Sequence, residues 1–137
     1  MIESGNLRIV ERTAPSAAGE ILIAKLQGKL TLGKESVLLR DHIRTKLDGG
    51  TRHLLLELEN VSYIDSAGIA VLVELKAHAI HVGGDLCLCR CPSAVTRILY
   101  RLALRRILEV YETEEQAIEA WASGGPVGAT KSRESAT

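Results

Sequence analysis

Phenylalanine is absent, and tyrosine and tryptophan together supply only 3% of the 137 residues. So few rings leave no platform on which successive bases could stack, so single-stranded nucleic acid is not an expected ligand. An excess of either charge is missing too, since Lys+Arg and Asp+Glu number 17 each. A formally neutral chain has no general electrostatic hold on a phosphate backbone or an anionic lipid surface. No apolar run approaches the roughly 18 residues that a membrane-spanning helix requires. No basic segment leads an apolar one at the N-terminus. The expectation is a soluble, cytoplasmic protein.

Cysteine is scarce and regularly placed. Cys87, Cys89 and Cys91 occupy every second position. On a strand all three would point to one face, in a geometry poorly suited to a disulfide. The spacing is not C-x-x-C and no fourth ligand is evident, so a thiolate metal site gives way to packing as small buried apolar groups. Neither a metal nor a cofactor is expected.

Hydrophobic residues make up 46% and charged residues 25%, an ordinary globular balance. The length suits one domain, assigned to residues 1–122. Residues 123–137 are Gly, Ser, Thr and charge without apolar periodicity, which predicts a flexible C-terminal tail.

Within the domain, Leu7 to Arg12 and Glu20 to Gln27 read as two strands of a hairpin, joined by a turn containing Pro15 and Gly19. Gly28 to Gly33 reads as a loop. Leu39, Ile43 and Leu47 recur at helical spacing between about Glu35 and Asp48, and Gly49-Gly50 supplies the stop. His53 to Glu59 is apolar on both faces, which suits an interior strand of a partly parallel sheet. A helix follows from Ser66 to about Val82, with Gly68, Leu72, Leu75, Ala79 and Val82 on its inner side. Its other side carries Ala67, Ala70, Glu74, His78 and His81; the last three could chelate a metal, but a solvated face is the favoured reading.

Asp85 to Arg90 is a further strand. Ser93 is a plausible cap of the next helix, whose stripe is Val95, Ile98, Leu99 and Leu102, with Arg97, Arg101 and Arg105 outside. Those arginines read as a solvated basic face, with an anion or partner site as the sharper alternative. Ile107 to Tyr111 reads as a short strand, and Thr113-Glu114-Glu115-Gln116 as a capping box opening a helix that buries Ala117, Ile118 and Trp121. The order is β-β-α-β-α-β-α-β-α. It predicts an α/β mixed sheet, antiparallel in its first pair and largely parallel thereafter, with four helices.

Chemistry concentrates where the apolar run Leu54 to Leu58 leads into Asp65-Ser66-Ala67-Gly68. Four readings fit that join. Asp65 or Ser66 caps the helix while Gly68 permits close approach to the sheet. Ser66 as a nucleophile lacks the glycine two residues upstream that a nucleophile elbow uses, Ile64 standing there instead. A phosphate cradle lacks its glycine-rich loop. Finally, Ser66 could accept a phosphate, adding about −1.5 to −2 charges at a helix start and changing the surface without melting the helix. Residue types alone leave these open beside capping.

The stretch Val61-Ser62-Tyr63-Ile64-Asp65-Ser66-Ala67-Gly68-Ile69-Ala70-Val71-Leu72 resembles the signature of STAS domains, specifically bacterial anti-sigma factor antagonists. Leu26-Gln27-Gly28-Lys29-Leu30 resembles the family's Gly-x-Leu element, and Gly83-Gly84-Asp85-Leu86 with Ser93-Ala94-Val95 its later strand and helix start. Leu102-Ala103-Leu104 and the segment Ile107 to Ala120 are similar to its C-terminal end, so the likeness runs over roughly residues 7 to 122. The resemblance implies a STAS-like fold and a non-enzymatic switch. The unphosphorylated protein would bind an anti-sigma factor that is a serine kinase, freeing a sigma factor. Phosphorylation at Ser66 would end the complex, and a cognate phosphatase would restore it. Asp65, Ala67, Gly68, Ile69 and Thr31 would flank the phosphosite and meet the partner. Thr31 replaces an acidic residue often found after the Gly-x-Leu element, and Ala103 replaces a common glycine. The alternative is a STAS interaction or ligand-binding module that works without phosphorylation.

Overall fold

A computed structural model describes residues 1–124. Six strands form one sheet, in sequence order from edge to edge. They are β1 (Ile2–Ser4), β2 (Leu7–Ala14), β3 (Ile21–Leu30), β4 (His53–Ile64), β5 (Asp85–Cys89) and β6 (Val110–Tyr111), and the helices are α1 (Lys34–Asp48), α2 (Ser66–His81), α3 (Ser93–Arg101) and α4 (Glu114–Gly124). The strands β1 to β3 pair antiparallel, and β3 to β6 pair parallel. The predicted α/β mixed sheet with four helices is therefore observed, with the short edge strand β1 in front. Three residues without strong alternation gave β1 no sequence signature.

Handedness decides where the helices lie. Successive parallel strands step in one direction across the sheet, and right-handed crossovers then place α1, α2 and α3 on the same face. That layer buries Leu39, Ile43 and Leu47 of α1, Leu72, Leu75 and Ala79 of α2, and Val95 and Leu99 of α3. From the sheet, Leu22, Ala24, Leu26, Leu54, Leu56, Leu58, Leu86 and Leu88 meet them. Each fully buried leucine contributes on the order of 2 kcal/mol of transfer free energy before entropy is counted. The odd residues of the same strands, Ile21, Ile23, Leu55, Cys87 and Cys89, face the other way and are covered by Ala117 and Trp121 of α4. Interior β4 thus has apolar side chains on both faces because it has helices on both.

Several local expectations change. Gly28 does not open a loop: β3 continues to Leu30, with Gly28 at φ 108° and a register shift between Gly28 and Lys29. A side chain at Gly28 would collide with the Asn6 carbonyl, which accepts a 2.8 Å hydrogen bond from the Lys29 N–H. The strand β4 likewise runs past Glu59 to Ile64, paired only with β3 once β5 has ended opposite Glu57. With one neighbour fewer, Asn60, Ser62 and Tyr63 face solvent, which is why this half of the strand reads as polar.

Cys91 leaves the alternation. Arg90 adopts φ 52° just after β5, and Cys91 packs with the α1–α3 layer while Cys87 and Cys89 lie under α4. Burial pushes the Cys89 and Cys91 thiols up to about 12, first by desolvation, and all three cysteines are free. These are packing groups. Pro92, not Ser93, holds the cap position of α3, and no side chain caps it. Residues 107–109 are not strand, leaving a two-residue β6.

The capping box at α4 is present in a shifted form. The Thr113 hydroxyl accepts from the Gln116 N–H at 3.1 Å, while the Gln116 side chain accepts from the Glu112 N–H instead of that of Thr113. The helix continues through Ser123, whose hydroxyl donates to the Glu119 carbonyl at 2.6 Å. The rest of the expected tail lies outside the described residues.

Where α2 meets β5 sits a buried charged cluster that periodicity did not reveal. Lys76 of α2 is buried, with its ammonium 2.5 Å from Asp85 and 2.7 Å from Glu109, and it donates to the Leu86 carbonyl at 2.9 Å. The Trp121 indole N–H is 3.4 Å from the other Asp85 oxygen. Burial disfavours the ammonium, but the two carboxylates outweigh it and hold Lys76 above its ordinary value. Asp85, Cys87 and Glu109 are close enough to share a metal, yet the Lys76 ammonium already supplies positive charge to both carboxylates.

Candidate functional site

The strands β3, β4 and β5 all end at one side of the sheet, and α2 starts there directly after β4. Asp65, in extended conformation with φ −108° and ψ −177°, is the cap of α2. One of its carboxylate oxygens accepts from the Gly68 N–H at 2.9 Å, satisfying an otherwise unpaired donor of the first turn. The other accepts from the Leu32 N–H at 3.0 Å, across to the loop between β3 and α1. The Asp65 N–H returns a 3.3 Å bond to the Leu30 carbonyl. Asp65 therefore clasps two connections together. The Leu32 N–H first, then those of Gly68 and Ala67, favour its ionised form and hold its pKa below the usual value.

Gly68 and Ile69 were expected to meet a partner; the structure turns both inward. A Cβ on Gly68 would lie 2.7 Å from the Ile64 side chain and would overlap the Leu30 carbonyl. Ile69 is 4% exposed. Their role is to seat the start of α2 on β3 and β4. Ala67 is half-buried beside them.

Ser66 is what this seating presents. It is the first residue of α2 and is exposed, and among the described residues its hydroxyl makes no hydrogen bond. The histidine contacts do not involve Ser66: His42 meets Glu11 at 2.7 Å, His78 meets Asp48 at 2.7 Å and lies near His81, and His53 packs edge-on against Trp121. The suggested Glu74, His78 and His81 chelate is also dispersed, because Glu74 faces Arg44 at 3.7 Å while His78 turns to Asp48.

Thr31 lies in the loop that Asp65 clasps. Its carbonyl accepts from the Ser36 N–H at 3.1 Å, and its side chain helps to favour the ionised Glu35 carboxylate. Glu35 in turn accepts from the Asn6 N–H at 2.6 Å, which ties the loop to the start of β2. These backbone bonds lower the Glu35 pKa, the Asn6 bond most. Two apolar residues that sequence reasoning did not single out flank the serine. Leu32 is 77% exposed on the loop bonded to Asp65, and Tyr63 is 57% exposed near the end of β4. The available signal was an apolar residue between Thr31 and Gly33, and an aromatic three positions before the serine.

The join of β4 and α2 thus presents an exposed hydroxyl at a helix start, with Leu32 and Tyr63 exposed on the adjoining loop and strand end. The chain belongs to the STAS domain family, whose model matches residues 14–117. An anti-sigma F factor antagonist of Paenibacillus polymyxa is 26% identical over 103 residues, covering 72% of this chain and 84% of the relative. Among solved structures, an anti-sigma factor antagonist from Mycobacterium paratuberculosis aligns with a TM-score of 0.70 at 16% identity, over 83% of this chain and 92% of that one. The Bacillus cell fate determinant SpoIIAA in its phosphorylated form aligns with a TM-score of 0.64 at 18% identity, over 82% and 98%. At those identities the structural likeness is one of fold. Among the described residues, no helix is long and apolar enough to cross a membrane.

Proposed function

We propose that this chain is an anti-sigma factor antagonist and a substrate, not an enzyme. Unphosphorylated, it binds an anti-sigma factor that is a serine kinase; transfer of a phosphoryl group to the Ser66 hydroxyl ends the complex, and a cognate phosphatase restores the free serine. The observation that carries this reading is the unengaged, exposed Ser66 hydroxyl at a helix start whose capping is done by Asp65. Because Asp65 does the structural work, a phosphate on Ser66 replaces no bond of the fold. It adds about −1.5 to −2 charges beside an ionised carboxylate, in the middle of the surface formed by Leu32, Ala67 and Tyr63. A partner whose apolar contacts require desolvation there is repelled. Names of relatives supply the direction: one is called an anti-sigma F factor antagonist, and one of similar fold is known in a phosphorylated form.

The test is incubation with serine-kinase anti-sigma factors and ATP, with phosphate mapped by mass spectrometry. Label on Ser66, persistent binding by Ser66→Ala and weak binding by Ser66→Asp are expected. No label with any cognate kinase, together with equal binding by the two variants, would remove the switch. A protein that binds undiminished in both forms would instead be a STAS module that works without phosphorylation.

A further inference from the structure

From Cys91 to Leu108 the chain contains no acidic residue but four arginines, Arg97, Arg101, Arg105 and Arg106. Among the described residues none of these four forms an ion pair, although Arg8, Arg12, Arg40, Arg44 and Arg90 all do. The chain as a whole is formally neutral, so this run of four cations without an acidic residue concentrates positive charge in one segment. Burial of Val95 and Leu99 turns the other side of α3 outward, placing Arg97 and Arg101 one helical turn apart with Tyr100 beside them. Together with Thr96 they line a shallow recess of about 620 Å³.

A solvated basic face explains the arginines but not their company. Tyr100 is 73% exposed, Leu102 53% and Ile107 43%, all within this short segment. Leu102 is held out by the turn that ends α3, in which Ala103 takes φ 57°. Scattered apolar residues on a surface need no explanation, but an exposed ring lining the same recess as two unpaired guanidinium groups makes that recess an amphipathic patch.

We propose that this patch is a docking surface for an acidic, amphipathic polypeptide segment of another protein, with carboxylates on Arg97 and Arg101 and an aliphatic side chain against Tyr100. A guanidinium presents paired donors in a plane that a carboxylate matches bidentately, and Tyr100 offers a rigid apolar wall with a polar tip. Nucleic acid fits less well, because four cations and one ring give few phosphate contacts and no stack of bases. An anionic membrane fits less well too, since three separated apolar side chains are no inserting helix face. The patch shares no residue with the Ser66 site, so either reading survives failure of the other.

Fluorescence anisotropy with a labelled synthetic helical peptide, carrying Glu at i and i+4 and Leu on the adjoining face, tests it. Saturable binding is expected, weakened about tenfold or more by Arg97→Glu with Arg101→Glu, and several-fold by Tyr100→Ala. The same peptide with Gln for Glu should not bind. A second pair, Arg105→Glu with Arg106→Glu, lies outside the helix and should weaken binding as well; thermal melting establishes that each variant is folded. Absence of binding by the acidic peptide, undiminished binding by both charge-reversed pairs, or tighter binding to a DNA duplex or to phosphatidylserine vesicles overturns the proposal.

Discussion

At Gly68 a single hydrogen atom separates a seated helix from a displaced one. A methyl group there would press on the Ile64 side chain and the Leu30 carbonyl, and backbone cannot swing aside as a long side chain does. Gly68→Ala is expected to destabilise the domain by about 1–3 kcal/mol, the usual cost of overpacking, as measured by urea denaturation. It should also loosen the Asp65 clasp, because the Gly68 N–H is one of its two donors. The Asp-Ser-Ala-Gly motif is visible in the sequence, which leaves the cap open between Asp65 and Ser66; the structure gives it to Asp65. What sequence could not separate is which motif residues face out. Gly68 and Ile69 turn inward because the helix starts directly against β3 and β4, a tertiary fact with no local signature.

Among the elements, the contact between β4 and α4 holds the most unusual charge. Glu57 points to the α4 side of the sheet, and one of its carboxylate oxygens is buried without a partner. Burial first, then the neighbouring Glu114 carboxylate, raises its pKa to about 7, while Lys25 and Arg90 oppose the shift. Glu114 is lowered in turn, by its closeness to Glu57 first and then by its pairing with Arg12. A raised acid binds its proton more tightly in the folded than in the unfolded chain, so stability falls as pH rises from about 4.5 to about 7. Glu57→Gln keeps the shape without the titration. Compared with the parent by denaturant unfolding, it is expected to gain stability at pH 8 relative to its difference at pH 5. A difference independent of pH would show that Glu57 is ionised throughout.

Element by element, the helices were legible because their apolar periods match the layer they bury, as Leu39, Ile43 and Leu47 do. Strand ends were not. Where β4 outruns β5, its polar residues look like a loop, although β3 still pairs with them. Cys91 misled for a related reason: alternation holds only while the chain stays extended, and Arg90 breaks it. Ala103, by contrast, occupies a left-handed position at the end of α3, where the resemblance suggested that a glycine is common. The buried Lys76 cluster had no periodic signal, since a lysine on an otherwise apolar helix face reads as solvent-exposed until β5 and the residue before β6 bring carboxylates to it.

For the molecule as a whole, folding and the proposed switch at Ser66 should be separable. The hydroxyl contributes no hydrogen bond to the fold among the described residues, and negative charge at a helix start is favoured by the helix dipole by about 0.3–1 kcal/mol. Repulsion from Asp65 acts against that. Ser66→Asp is therefore expected to change unfolding free energy by no more than about 0.5 kcal/mol, as is usual for an exposed position. A partner-binding defect in that variant with an unchanged melting curve would place the effect at the surface. Collapse of the fold would mean that Ser66 carries weight no contact reveals.

The order of the strands has a further consequence, in time and not in space. Since each strand lies beside its predecessor, the sheet can be laid down from one edge as the chain leaves the ribosome, without waiting for a distant partner. The helix bearing Ser66 has its seat on β3 and β4 before the last third of the chain is made. Trp121 comes only after all six strands, and it is needed to cover Ile21, Ile23, Leu55, Cys87 and Cys89. Until then a nascent chain shows the start of α2 ready-built and its far side bare, so the interval before α4 closes is when a chaperone would find the most to hold.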